Sequence, residues 1–181
     1  MDFASLQAAR ESCRVYSDKP VSREVLTHLV DVARLSPSGC NAQPWHFIIV
    51  DDPNARDKVI EAFDDNGLTG CSWGDKVPAF ILICEEEAHL MPGVAEHYGS
   101  QHFAQMDIGM AAMALCYEAA SIGLGTCMIG TMDQEKLKAG MGIPEEKTVR
   151  LIITVGYPAK TGKPRKKIRK NLEDILTYNH W

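Results

Sequence analysis

The sequence predicts an α+β fold in which helices flank a mixed central sheet, formed by a single domain over residues 1–181. Amphipathic stretches with helical spacing alternate along the chain with short apolar runs that are typical of buried strands. Hydrophobic residues make up 45% of the chain and charged residues 24%, as in ordinary globular proteins. The chain shows no internal repeat and no low-complexity segment.

In the first half of the chain, helical and strand-like segments follow one another closely. The expected elements are helices at about 3–12, 22–35 and 53–63 and strands at 46–50 and 79–84. The second helix places Val25, Leu26 and Leu29 along one apolar stripe. Asp52 followed by Pro53 is typical of an N-cap with proline at the first helical position. The uninterrupted apolar run at 79–84 predicts a buried central strand.

The second half of the chain contains the longest helical pattern. The expected elements are a helix at about 100–122, a short strand ending at 128–129, a helix at 133–140, a strand at 149–157 and a short helix after Asn171. Gly123 fits the position just after the long helix, where glycine is favoured. The methionines of this long helix, Met106, Met110 and Met113, are expected in the core. The β-branched residues of 149–157 favour a strand.

Residues 36–45, which read Ser-Pro-Ser-Gly-Cys-Asn-Ala-Gln-Pro-Trp, form the most informative loop. Short polar side chains and backbone N–H groups in such a loop can hold a flat heteroaromatic ligand by its polar edge. The same residue types also form ordinary helix-to-strand connections, so the motif alone leaves both interpretations open.

A second motif places Arg10, Ser12 and Arg14 two residues apart. In an extended segment all three side chains point to one side, and at a helix end they spread over about one turn. Two guanidinium groups and a hydroxyl suit a phosphate group. The alternative is a solvated helix end with surface charges.

A third motif is the basic segment at 160–170, in which seven of eleven residues are Lys or Arg in a chain of net charge −5. The segment could anchor one phosphate group of a bound ligand or form a solvated loop. A nucleic-acid patch is disfavoured because the segment has no aromatic residues and the protein is acidic.

Together with the segment from Gly123 to Thr131, these motifs resemble the FMN-dependent nitroreductase family. The resemblance extends from Arg10 to Ile175 in the order and spacing of the family. It implies a nitroreductase-like fold and a homodimer with one FMN at each of two interfacial sites. The long helix would then form much of the dimer interface.

The resemblance also implies a set of cofactor-binding residues. They are Arg10, Glu11, Ser12, Arg14, Pro37, Ser38, Gly39, Asn41, Gln43, Met128, Ile129, Gly130, Thr131, Lys167 and Arg169. Arg10, Ser12, Lys167 and Arg169 would hold the phosphate and ribityl oxygens, with Arg165 and Lys166 as an alternative register. Arg14 would lie near flavin N1 and O2. Pro37, Ser38 and Asn41 would come from the partner subunit, with Gln43 and Trp45 in the same loop. A backbone N–H of Gly130 or Thr131 would donate to flavin N5.

The implied activity is hydride transfer from NADH or NADPH through flavin N5 to an electron-poor acceptor such as a nitroaromatic or a quinone. The flavin carries this chemistry, so no catalytic side chain is expected. Two alternatives are a flavin carrier or sensor without turnover and a small anion or nucleic-acid binder that uses 160–170.

Some positions depart from the family pattern and bear on the choice of acceptor. They are Gly70 to Trp73, Met128, Thr131 and Met132. The polar segment 85–100 is interpreted as a substrate-gating loop or a plain surface connection.

Other patterns exclude competing classes. The glycines at 123 and 125 lack the third glycine of a dinucleotide fingerprint, and the histidines show no metal-binding spacing. The N-terminus lacks signal-peptide features and no apolar run could cross a membrane, so a cytoplasmic protein is expected. The six cysteines are expected to be reduced, and a redox role for Cys40 or Cys127 is left open.

Overall fold

A computed structural model describes residues 2–63, 73–159 and 165–181. The helices are α1 (Phe3–Ala9), α2 (Arg23–Ala33), α3 (Pro53–Glu61), α4 (Pro92–Tyr98), α5 (Ala104–Ser121) and α6 (Gln134–Met141). The strands are β1 (Trp45–Val50), β2 (Ala79–Glu85), β3 (Gly125–Ile129) and β4 (Thr148–Gly156). Short 3₁₀ turns lie at Gly39–Asn41, Gly74–Lys76 and Leu172–Asp174.

The four strands form one sheet in the order β1-β2-β4-β3, and each of these neighbouring pairs is antiparallel. The sheet expected from the sequence is mixed. Among the described residues, the strand pairs are antiparallel instead, and the parallel pairing is limited to an isolated bridge between Ser12 and Thr126. The central strand β2 is buried except for Glu85, and β4 is buried throughout its second half, from Ile152 to Gly156, in line with their apolar composition.

The side chains of the sheet alternate between two cores. On one face, Ile81, Ile83 and Ile153 pack among residues of α2 and α5. On the other face, Leu82 and Ile152 pack among residues of α3 and α6. The α+β class is therefore realised as a sheet between two helical layers. No helix in the described part of the chain has both the length and the apolar character needed to cross a membrane.

Local signals in the sequence explain most of the helix starts and the ends of two helices. The carboxylates of Asp2, Asp52 and Asp133 and the hydroxyl of Ser22 accept N-cap hydrogen bonds at the starts of α1, α3, α6 and α2. Gly123, with φ 82°, follows α5 as predicted. The helix α6 continues through Gly140 and ends at Met141, because Gly142 adopts the left-handed conformation that terminates it.

Three expectations need correction. The first helix ends at Ala9 instead of Ser12, because Ser12 and Cys13 pair with Thr126 and hold the chain extended. The segment 85–100 contains the helix α4, which begins at Pro92. Met106 and Met110 of α5 are 55% and 41% exposed in the single chain, although both were expected in the core.

Candidate functional site

The segment 10–16 is an extended stretch fastened to the sheet. The Cys13 N–H donates to the Thr126 carbonyl at 2.9 Å, and the buried Tyr16 hydroxyl donates to the Cys13 carbonyl at 2.9 Å. The same hydroxyl lies 2.6 Å from Thr154 Oγ1 in β4. Burial raises the pKa of Tyr16, so the phenol stays protonated and can donate. This network fixes the register of the motif that contains Arg10, Ser12 and Arg14.

The extended segment forms one wall of a basic cleft of about 300 Å³. The second wall comes from the part of the basic segment that the structure describes, residues 165–170. The lining residues are Arg10, Glu11, Ser12, Arg14, Arg165, Lys166, Lys167, Ile168 and Arg169. The half-buried Lys167 donates through Nζ to the Arg10 carbonyl. The second and third sequence motifs, far apart along the chain, therefore face one another across one cleft.

Glu11 ties the two walls together. Its Oε2 accepts hydrogen bonds from the Arg165 backbone N–H at 3.0 Å and from Arg165 Nε at 3.1 Å. Burial alone would raise the pKa of Glu11, but the hydrogen bonds from Arg165 outweigh it, and the pKa lies below its usual range. Glu11 is therefore ionised at neutral pH and is partnered by Arg165, which also donates to the Ser12 carbonyl at 2.7 Å.

The contacts of the basic segment match neither expected register in full, since one residue of each register contacts the opposite wall. Arg165 and Lys167 contact the opposite wall, whereas Arg169 donates to the carbonyl of its neighbour Ile168. Lys166 lines the cleft with an exposed side chain. Residues 160–164 of the basic segment, and Gly70 to Ser72 among the departures from the family pattern, lie outside the described residues.

Arg10 carries an unused hydrogen-bond donor. Among the described residues, its Nε is buried and has no hydrogen-bond partner. A buried donor without a partner is costly, and a phosphate oxygen in the cleft would satisfy it. The cleft thus offers an anion the charged donors of Arg10, Arg14 and Lys167, which fits the phosphate group that the sequence predicts.

The 36–45 loop lies between α2 and β1 and has a strained backbone. Cys40, Asn41 and Gln43 adopt φ values of 53°, 55° and 50°. Ser38 Oγ accepts the Gln43 N–H at 3.0 Å, and Gln43 Nε2 donates to the Asn41 carbonyl at 3.1 Å. Trp45, at the end of the loop, is half-buried and packs against the core cluster on the α2 and α5 side of the sheet. The side chains of Cys40, Asn41 and Gln43 are exposed and can meet a ligand.

The end of β3 provides a third group of predicted residues. Ile129 is buried and Met128 half-buried, whereas Gly130 and Thr131 leave the sheet and are exposed. Their backbone N–H groups follow the last pairing of β3 with β4, at Ile129 and Ile152. The resemblance to the nitroreductase family implies a hydrogen-bond donor to the flavin ring at this position.

A single chain does not bring all predicted residues together. Among the described residues, none from the 36–45 loop lines the basic cleft. Sequence reasoning also missed Tyr16 and Asp107, both buried, as residues that hold the site elements in place. A detectable signal for Asp107 was its acidic side chain in the apolar pattern of α5.

Similarity to known proteins shows the family to which the chain belongs. The model of the nitroreductase family matches residues 8–70 and 65–157, so the chain belongs to this family. The match confirms the family predicted from the sequence motifs.

The chain is also similar to individual known proteins. The chain is 32% identical, over 82% of its length and 81% of the relative, to a candidate NADH dehydrogenase/NAD(P)H nitroreductase from Archaeoglobus fulgidus. It is 24% identical, over 97% of its length and 74% of the relative, to an iodotyrosine deiodinase from Nematostella vectensis. A candidate nitroreductase from Exiguobacterium sibiricum, solved in complex with FMN, superposes with a TM-score of 0.81 at 20% identity, covering 98% of this chain and 97% of that one.

Proposed function

We propose that this chain is an NAD(P)H-dependent FMN oxidoreductase that reduces an electron-poor acceptor such as a nitroaromatic or a quinone. The observation that carries the proposal is the buried Nε of Arg10 in a basic cleft, which finds no hydrogen-bond partner in the described part of the chain. Membership of the nitroreductase family supports the enzyme class and both cofactors. Bound FMN supplies hydride acceptance and donation at N5.

The residues of the cleft would bind the FMN phosphate. Arg10 would donate through its Nε, which has no partner among the described residues, and Lys167 would add positive charge from the opposite wall. Because Arg165 already neutralises Glu11, the carboxylate of Glu11 would not repel the phosphate. Ser12 and Arg169, which also line the cleft, would contact the remaining phosphate and ribityl oxygens.

Other groups would orient the ring. Arg14 lines the cleft with an exposed side chain and would lie at the pyrimidine edge, where a cation favours the negative charge of reduced flavin. The backbone N–H of Gly130 or Thr131 would donate toward N5. Pro37, Ser38, Gly39, Asn41 and Gln43 of the partner subunit's 36–45 loop would cover the ring or ribityl chain.

A homodimer would complete the site. Met106 and Met110 form an exposed apolar stripe on α5, together with the half-buried Met113 and Tyr117. Residues 165–181 also expose apolar side chains, including Ile168 at 89% and Ile175 at 64%. Neighbouring apolar side chains that are exposed on one helix face are typical of an interface with another chain. A second copy would bury the stripe and bring its 36–45 loop toward the cleft.

The proposal is tested by an anaerobic absorbance titration of the FMN-loaded protein with NADH and with NADPH. We expect the flavin bands to bleach with at least one donor and to return on adding a nitroaromatic or quinone. An iodinated tyrosine, the substrate named for the deiodinase relatives, serves as the comparison acceptor. Bound flavin that neither donor bleaches would instead support the carrier or sensor function. Protein that binds no FMN would contradict the proposal.

A further inference from the structure

The 36–45 loop needs an external support. Cys40, Asn41 and Gln43 occupy the left-handed region, which is disfavoured for most residues with a Cβ and least so for asparagine. Strained backbone of this kind persists only where surrounding contacts hold it. The bonds inside the loop, such as that from the Gln43 N–H to Ser38 Oγ, fix its local shape. They do not fix its position relative to the rest of the protein.

The helix α5 provides that support through Asp107. Asp107 Oδ2 accepts the Gly39 N–H at 3.1 Å. Asp107 is only 4% exposed and lies in the first turn of α5, where the helix dipole favours a negative charge. Burial of a carboxylate is costly unless it is hydrogen-bonded. Its bond to the loop and its place at the helix start account for its presence in an apolar helix.

Phe103 holds the same glycine from a second side. A Cβ at Gly39 would lie 3.1 Å from Phe103 Cδ2 and 3.2 Å from Phe103 Cβ, so only glycine fits without displacing the loop or the ring. Phe103 and Asp107 are four residues apart and therefore share a helix face. Gly39 thus lies in a socket formed by the start of α5.

We infer that Asp107 is a positioning residue for the cofactor site: through Gly39 it holds the 36–45 loop where it can contact FMN. The inference rests on the proposed function but assigns Asp107 no contact with the flavin. Asp107 follows Met106 directly on α5, so the helix that would form the dimer interface also sets the position of the loop.

The first experiment compares Asp107→Ala with Asp107→Asn by fluorescence titration of FMN. Alanine removes the acceptor of the Gly39 N–H, and we expect the FMN dissociation constant to rise about tenfold or more. Asparagine keeps a carbonyl oxygen there, and we expect a change of less than about threefold. Ile108→Val, a buried neighbour on α5, should lower the thermal midpoint of the apoprotein without changing the dissociation constant.

A double-mutant cycle adds a readout that a purely structural role would not change. Gly39→Ala should weaken FMN binding as Asp107→Ala does, and the double variant should be no weaker than either single variant. Additive losses, or a lower thermal midpoint for Asp107→Ala with unchanged FMN affinity, would overturn the inference.

Hydrogen–deuterium exchange of the apoprotein separates this inference from the proposed function. We expect faster exchange across peptide 36–45 in Asp107→Ala and wild-type exchange in Asp107→Asn. This result is expected even if the wild-type protein binds no FMN, an outcome that would refute only the proposed function. Equal exchange in all three proteins would show that Asp107 does not hold the loop.

Discussion

At the scale of single residues, the buried Nε of Arg10 gives the sharpest prediction about the cleft. Arg10→Ala should raise the FMN dissociation constant about tenfold or more, because charge-assisted hydrogen bonds to phosphate are strong where solvent is excluded. Fluorescence titration with FMN measures this constant. The matched control is Arg34→Ala, which removes an exposed arginine paired with Asp31 on α2 and should leave FMN affinity unchanged. Equal affinity of Arg10→Ala and wild type would show that the phosphate binds elsewhere.

Cys116 gives a pH-dependent prediction about stability. Burial raises the pKa of this thiol from the usual 9.0 to about 11. Between these values the unfolded thiol loses its proton while the folded thiol keeps it, so the contribution of Cys116 to stability is full below pH 9.0 and lost as the pH rises to about 11.

The stability difference between wild type and Cys116→Ala isolates this effect from other titrating groups. Urea unfolding at several pH values should show the free energy of unfolding of wild type falling toward that of Cys116→Ala between pH 9.0 and about 11. A difference that stays constant across this range would contradict the assignment of a buried, neutral thiol.

At the scale of elements, two paired glycines of the sheet create the seat for the extended segment 10–16. Gly125 of β3 pairs with Gly156 of β4. A Cβ at Gly125 would lie 2.7 Å from Cys13 Cβ, and one at Gly156 would lie 2.6 Å from Tyr16 Cδ1. The missing side chains let the segment lie against the edge of the sheet and direct Arg10 and Ser12 into the cleft.

Gly125→Ala should therefore lower both stability and FMN affinity. Overpacking of this kind costs about 1–3 kcal/mol, and displacement of Cys13 would move the neighbouring Ser12. Urea unfolding and FMN titration measure the two effects. Gly93→Ala in α4 is the control, since a Cβ at Gly93 would meet nothing within 4 Å and alanine is the better helix former. A Gly125→Ala protein with wild-type FMN affinity would separate this seat from the cofactor site.

The elements were largely predictable because their signals are local. The N-caps Ser22, Asp52 and Asp133 and the apolar run of β2 place four elements to within a few residues. The end of α1 was misplaced because a long-range pairing with Thr126 decides it. The helix α4 was missed because the segment is polar, although Pro92 at its first position was a usable start signal.

At the scale of the whole molecule, the apolar stripe of α5 predicts a homodimer. Met106→Lys combined with Met110→Lys should give a monomer in analytical ultracentrifugation and weaken FMN binding, because two charges would enter the interface. Thr27→Lys, at an exposed position of α2, should leave both properties unchanged. A wild-type protein that sediments as a monomer would contradict the shared site.

The candidate site was predictable in composition but not in geometry. The motifs identify Arg10, Ser12 and the basic segment, since charged residues at such spacing stand out in an acidic chain. The sequence could not decide which of residues 165–169 reach the cleft, because a largely exposed segment outside helices and strands has no hydrophobic period to fix its register. The exposure of Met106 could not be predicted either, since an apolar side chain can be buried by its own core or by another chain.

The central claim is that two chains jointly build each FMN site and that NAD(P)H reduces the bound flavin. A heterodimer of two defective variants tests this claim most directly. One chain carries Arg10→Ala and the other carries Ser38→Ala with Asn41→Ala, and different tags allow the mixed dimer to be purified. If each site takes Arg10 from one chain and the 36–45 loop from its partner, both defects fall in one site and the other is intact. We expect each homodimer to bind FMN weakly and the heterodimer to bind one FMN tightly, with bands that bleach on adding NADH or NADPH. A heterodimer without a tight, reducible site would contradict the account.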